Sequence, residues 1–123
     1  MRHKVDFLVI GSGIAGLSFA LKAANYGKVG MITKSKIDDT ATKYAQGGVA
    51  AVIYSPDTYE KHIRDTMIAG DELSNPKIVD ITIRESTARV LELVEWGVNF
   101  DKTDSGKYAL AKEGGHSEFR VLH

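Results

Sequence analysis

Cysteine is absent from the 123-residue chain, which excludes disulfides, thiolate metal sites and a cysteine nucleophile. Nothing suggests a metal centre, and a reducing compartment, the cytoplasm, is the expected location. Charge of one sign is missing as well, since 16 basic and 16 acidic residues leave no formal net charge. That balance gives no electrostatic footprint for nucleic acid or an anionic membrane, so neither is expected as a partner. No apolar run is long enough to span a bilayer. Proline occurs only twice, at Pro56 and Pro76, and each sits beside a helix start signal, so neither interrupts a predicted element. Internal repeats and low-complexity tracts are absent too.

The length suits one domain with a real core and is too short for two or three. Arg2, His3 and Lys4 before the largely apolar residues 7–21 imitate a secretory leader. Asp6 at the junction and the glycines at 11, 13 and 16 argue against that reading, because their spacing has another explanation.

Residues 5–10 (VDFLVI) form a short apolar run bounded by glycine, the mark of a strand buried on both faces, as in a parallel sheet. Residues 14–24 carry small and apolar side chains suited to a helix packed on that sheet, with Gly27 placed to close it in the left-handed conformation. Residues 29–33 (VGMIT) read as a second strand. The result is a β-α-β unit with a parallel sheet. Residues 37–45 are polar and predicted irregular. Asp57 or Thr58 can cap a helix running to about Ala69, and Asn75-Pro76 starts another. Over residues 78–83 strand-like alternation competes with helical spacing. Helix is favoured throughout, with a break near Ser86-Thr87 and an end at Gly97. Residues 98–101 and 107–112 flank Thr103-Asp104-Ser105-Gly106 and predict a β-hairpin. The expected class is therefore α/β: a Rossmann-like β-α-β unit with an incomplete parallel sheet, followed by helices and a β-hairpin.

Gly11-Ser12-Gly13-Ile14-Ala15-Gly16 is G-x-G-x-x-G between a predicted strand and a predicted helix. The first glycine makes the tight turn, the second admits a pyrophosphate to the backbone, and the third lets helix and strand pack closely. Free amides and the positive helix end then face the phosphates. The acid that usually follows at the end of the second strand is replaced by Thr33 and Lys34. These can bind ribose and adenine, a 2′-phosphate cofactor stays open, and Lys34 has the alternative of being a solvated lysine.

A second glycine motif follows in Thr42-Lys43-Tyr44-Ala45-Gln46-Gly47-Gly48-Val49-Ala50-Ala51-Val52. Its small residues would let a planar ring lie against the main chain; the alternative is a glycine loop in a strand connection. The two motifs together resemble the flavoprotein subunit family of succinate dehydrogenase and fumarate reductase. Within that family the likeness is to the L-aspartate oxidase branch, and it is carried by GSGIAGLS, the Thr33-Lys34 pair, YAQGGVAAV, DTMIAGDEL (65–73), WGVNFD (96–101) and EGGHSEFRVLH (113–123).

The resemblance implies FAD contacts at Ser12 to Ala15, at Lys34, and along Ala41 to Gly48. It implies that residues 1–123 are the N-terminal part of a discontinuous FAD-binding domain, without the capping and helical domains. It also implies oxidation of L-aspartate to iminoaspartate as the first step of NAD biosynthesis, with fumarate or oxygen as acceptor and quinolinate synthase as a candidate partner. The family's substrate-holding arginine and histidines lie beyond residue 123, so this stretch alone is expected to be inactive. A soluble fumarate reductase flavoprotein and an inert fragment are the alternatives. Two departures separate the branches. Ala41-Thr42 stands where the dehydrogenases carry a histidine bonded to FAD, so the flavin is expected to be held non-covalently. Glu113 stands where they have an uncharged residue, and is the candidate to meet the ammonium group that distinguishes aspartate from succinate.

Overall fold

The computed structural model describes residues 2–45 and 47–123. The fold divides into two compact units, residues 1–46 and 47–123.

The first unit contains β1 (Phe7–Ile10), α1 (Ile14–Ala23), β2 (Val29–Ile32) and the short α2 (Ala41–Tyr44). β1 and β2 pair in parallel, Phe7 opposite Val29 and Ile10 opposite Ile32, as the apolar runs predict. The Asp6 carboxylate fixes the start of this pairing by accepting from the Lys28 amide at 2.7 Å. Gly27 does not provide the expected left-handed cap. Ala24 caps α1 in the right-handed region, and Gly27 is absent from the positive-φ residues. Its lack of a side chain matters for another reason: a Cβ there would lie 2.9 Å from Asp6 Oδ2. The stretch expected to be irregular holds one helical turn, because the Thr40 hydroxyl caps α2 by accepting from the Lys43 amide.

The second unit is built from β3 (Val49–Ala50), α3 (Tyr59–Ala69), α4 (Pro76–Glu95), β4 (Leu110–Ala111) and β5 (Val121–Leu122). The strands form an antiparallel sheet in the order β3-β5-β4. Thr58 caps α3 through the Lys61 amide. Asn75 caps α4 through the amides of Lys77 and Ile78, with Pro76 in its first turn. α4 is unbroken, so the predicted interruption at Ser86-Thr87 does not occur. The Ser86 hydroxyl donates to the Ile83 carbonyl at 2.7 Å and the Thr87 hydroxyl to the Val52 carbonyl at 2.7 Å, and neither competes for the helix's own amides. Val79, Ile83 and Val90 form the buried face of α4. Their spacing decides the strand-or-helix ambiguity in favour of helix. Gly97, at φ +100°, follows the helix end.

Ala51, Val90 and Leu122 make the core of this unit, with Ile53, Phe100, Tyr108 and Leu110 packed on it. Fully burying a leucine such as Leu122 contributes about 1.5–3 kcal/mol. The predicted hairpin is reduced to one antiparallel bridge, Lys102 with Tyr108. The main partner of β4 is β5, with Leu110 opposite Leu122. No helix among the described residues is long and apolar enough to cross a membrane.

Candidate functional site

The turn between β1 and α1 is shaped by its glycines. Gly11 takes φ +104°, which a residue with a side chain rarely adopts, while its amide continues the sheet by donating to the Ile32 carbonyl at 2.8 Å. A Cβ on Gly16 would stand 2.1 Å from the Gly11 carbonyl oxygen and 3.3 Å from Val9 Cγ1. Gly16 therefore permits α1 to rest on the turn. Gly13 is different. It occupies the N-cap position of α1 without a side chain to cap it, and a Cβ there would meet only Thr42 Oγ1, at 4.0 Å. Space is left open at the positive end of the helix, which is what a pyrophosphate needs. Ser12 is buried, while Ile14 and Ala15 are exposed at the helix start.

The Ile14 amide finds an acceptor in the Thr42 hydroxyl at 3.2 Å. This bond joins the two motifs within the first unit: α2 carries Thr42 to the helix end that the glycine turn exposes. Ala41, Lys43, Tyr44 and Ala45 are exposed around it. Lys43 pairs with Asp38, and the Tyr44 hydroxyl donates to Asp39 Oδ1 at 3.3 Å. Gln46 lies outside the described residues.

At the carboxyl ends of β1 and β2, a cavity of about 390 Å³ is lined by Ile10, Gly11, Ile32, Thr33 and Lys34. Ligands of open α/β sheets bind at such strand ends. The Thr33 hydroxyl exchanges hydrogen bonds with the backbone of Ser35, at 3.3 Å each way, and Lys34 is exposed. The open Gly13 position, the N-terminus of α1 and this cavity fit a dinucleotide.

In the second unit Gly47, at φ +101°, has open space where a Cβ would go. Gly48 has none, since a Cβ would fall 2.4 Å from both the Leu122 carbonyl oxygen and Val121 Cγ1, and 3.1 Å from His123 Cε1. Glu113 follows β4, and its carboxylate Oε1 lies 3.1 Å from His123 Nε2 with the two side chains 47% and 40% exposed. Its carbonyl accepts from the His116 amide at 3.2 Å, and Gly115 takes φ +82°.

A buried ionic cluster behind this loop was not anticipated from the sequence. Arg120 is wholly buried. Its Nε and Nη2 donate to Asp57 Oδ2 and Oδ1 at 2.8 and 2.7 Å, and its Nη1 donates to Asp65 Oδ2 at 2.6 Å. Nη1 also lies 3.3 Å from His116 Nδ1. Asp65 Oδ2 further accepts from the Ser117 amide and hydroxyl, both at 2.8 Å. Burial pushes the Asp65 carboxyl up, but Ser117 and the Arg120 guanidinium outweigh it and hold it down at about 2. His62 packs edge-on against His116 with ring centres 5.7 Å apart. Burial first, then the Arg120 charge and His116, pushes it down to about 4. The available signal was an arginine directly preceding the apolar Val121-Leu122, since a charge in a core strand requires partners. With Arg120 closed to solvent, the cluster anchors residues 116–120. Among the described residues no group of acids and histidines could hold a metal ion.

The FAD binding domain family matches residues 6–123. The chloroplastic L-aspartate oxidase of Arabidopsis thaliana is 47% identical, over 96% of this chain and 18% of that protein. The L-aspartate oxidase of Vibrio cholerae is 45% identical, over 98% of this chain and 24% of that protein. The chain thus spans about a fifth of the length of the curated relatives it matches. Among solved structures, Mycobacterium smegmatis Sdh1 in complex with UQ1 aligns with a TM-score of 0.85 at 36% identity, over 99% of this chain and 21% of that one. The glycine turn, the open helix end and a match across nearly every residue agree: the chain belongs to the FAD binding domain family.

Proposed function

We propose that the chain is the N-terminal part of the discontinuous, Rossmann-like FAD-binding domain of an L-aspartate oxidase. The observation that carries this reading is the 45–47% identity to L-aspartate oxidases of a bacterium and a plant, against 36% to Sdh1. Gly11, Ser12, Gly13, Ile14, Ala15 and Gly16 take the pyrophosphate, supported by the open Gly13 position and the α1 amides. Thr33 and Lys34 lie where the adenosine end is expected. Thr42, bonded to the Ile14 amide, keeps the α2 turn at the pyrophosphate turn, and Ala41 to Gly48 serve the flavin end.

Bound FAD would supply the hydride acceptor for the α-carbon of L-aspartate, yielding iminoaspartate and delivering the electrons to oxygen or fumarate. Glu113 presents a carboxylate to the substrate ammonium. Cytoplasmic location and product transfer to quinolinate synthase in NAD biosynthesis belong to the same proposal.

The test is to purify the protein that carries this chain, record its flavin spectrum and assay L-aspartate-dependent peroxide formation beside fumarate reduction. Yellow protein that oxidises L-aspartate is expected. Fumarate reduction without any L-aspartate oxidation would assign it to the fumarate reductases instead.

A further inference from the structure

We infer that His123 is a specificity-determining positioning residue, which orients the Glu113 carboxylate beside the Gly47-Gly48 segment so that it can read a substrate ammonium group. The inference rests on the proposed role of Glu113 and adds the residue that makes it work.

Three contacts carry it. His123 Nε2 lies 3.1 Å from Glu113 Oε1. The Cε1 of the same ring lies 3.1 Å from the point a Cβ on Gly48 would occupy, so the ring packs close against the Gly48 backbone. The imidazole therefore lies between the carboxylate and the backbone of the second glycine motif. The carbonyl of His123 accepts from the Asp101 amide at 2.8 Å, and the residue directly follows Val121 and Leu122, which are 2% and 1% exposed. The ring thus directly follows β5, the central strand of its sheet, whose two residues are buried.

Glu113 has the opposite character. Its loop is pinned at the far end, where Ser117 bonds to Asp65 and Arg120 to both acids. Its own side chain is nearly half exposed. A glutamate so placed loses rotamer freedom when it must meet a substrate, and a donor on a fixed strand removes part of that cost in advance. Histidine suits the task better than lysine or arginine. Its neutral form donates one N–H from Nε2 and leaves the carboxylate its negative charge, whereas a permanent cation would compete with the ammonium for it.

The experiment uses the flavin-loaded holoenzyme and compares His123→Leu, His123→Gln, Glu113→Gln and the Leu/Gln double variant. His123→Leu is expected to raise KM for L-aspartate about tenfold, the order for losing one hydrogen bond to a charged group. It should leave kcat, the KM for fumarate, the flavin content and the melting temperature within about twofold or unchanged. His123→Gln, which keeps an N–H donor, should recover most of the affinity. In the Glu113→Gln background His123→Leu should add almost nothing. If Glu113→Gln weakens L-aspartate while His123→Leu does not, the inference about His123 falls and the role of Glu113 stands. Equal losses for L-aspartate and fumarate in His123→Leu would also overturn it, by making His123 a general support of the loop. If Glu113→Gln itself leaves L-aspartate oxidation intact, the proposed role of Glu113 falls first and takes the inference with it.

Discussion

Asp57 and Arg120 meet in a two-pronged ion pair, Nε to Oδ2 at 2.8 Å and Nη2 to Oδ1 at 2.7 Å, with side chains 2% and 0% exposed. Two charges taken so completely out of water gain little net stability from meeting, because desolvation offsets the attraction. What the pair fixes is geometry. It joins the turn before α3 to the residue before β5, and through Asp65 and Ser117 it sets where the Glu113 loop begins its return.

Removing one member should be far worse than removing both. Asp57→Ala leaves a buried guanidinium short of partners and is expected to lower unfolding free energy by about 3–5 kcal/mol. Arg120→Lys should be nearly as harmful, since an ammonium cannot fork onto two carboxylates. Replacing Asp57 and Arg120 together by apolar residues should cost less than Asp57→Ala alone. Urea denaturation of the three variants checks the order, and a loss below about 1 kcal/mol for Asp57→Ala would remove the structural role.

Acid should weaken the fold in two successive limbs. His62 is buried and neutral, with its folded value at about 4 against 6.5 unperturbed, and its Nδ1 has no hydrogen-bond partner. Between those values the unfolded chain binds the proton and the folded one does not, so stability drops as pH falls from about 6.5 to about 4. Asp65 lies at about 2 against 3.8. Its contribution is whole above about 3.8 and is lost as pH falls through about 2. His62→Gln should flatten the upper limb and Asp65→Asn the lower one, as read from denaturant midpoints across the pH range. An unchanged upper limb in His62→Gln would assign that proton uptake to another group.

The sequence made legible what is local. β1, α1 and the Gly11–Gly16 turn follow from an apolar run, helical spacing and three glycines within six residues. For α3 the sequence left Asp57 and Thr58 as alternatives and the structure selects Thr58, while the cap Asn75 was legible for the same reason. The turn of α2 was not, because four residues carry no periodicity and the helix depends on one hydroxyl, that of Thr40. The pairing of β4 with β5 was hidden because the turn at 103–106 is a good hairpin signal, and only the burial of Val121 and Leu122 draws β4 elsewhere. Asp57 and Arg120 are 63 residues apart, beyond the reach of any spacing rule. Gly13 and Thr42 in the first unit and Glu113 in the second could be named as candidates from the sequence, whereas His123 as neighbour to both Glu113 and Gly48 required coordinates.

Flavin attachment gives a clear-cut outcome. By the resemblance, Ala41 and Thr42 stand where the dehydrogenase branch carries the histidine that links its cofactor, so non-covalent FAD is expected. Acid or heat precipitation of the holoprotein should therefore release all the FAD into the supernatant intact. Colour retained by the washed precipitate would show a covalent bond formed by some other residue.

Gly13 and Gly16 should fail in opposite ways when enlarged. At Gly13 the backbone is extended, φ −71° and ψ 176°, a conformation open to any L-residue, and an added Cβ meets nothing closer than 4.0 Å. Gly13→Val should thus fold with apoprotein stability within about 0.5 kcal/mol of the parent, yet fill the space a pyrophosphate needs and give colourless protein. At Gly16 an added Cβ would be driven to 2.1 Å from a backbone oxygen, and neither α1 nor the Gly11 turn can yield without separating helix from strand. Gly16→Val should cost about 1–3 kcal/mol or more by overpacking and lose FAD as a consequence of the damaged fold. Melting curves of the apoproteins together with flavin content separate the two causes. A Gly13→Val protein that melts normally and still carries a full complement of FAD would show that the pyrophosphate does not lie at this helix end.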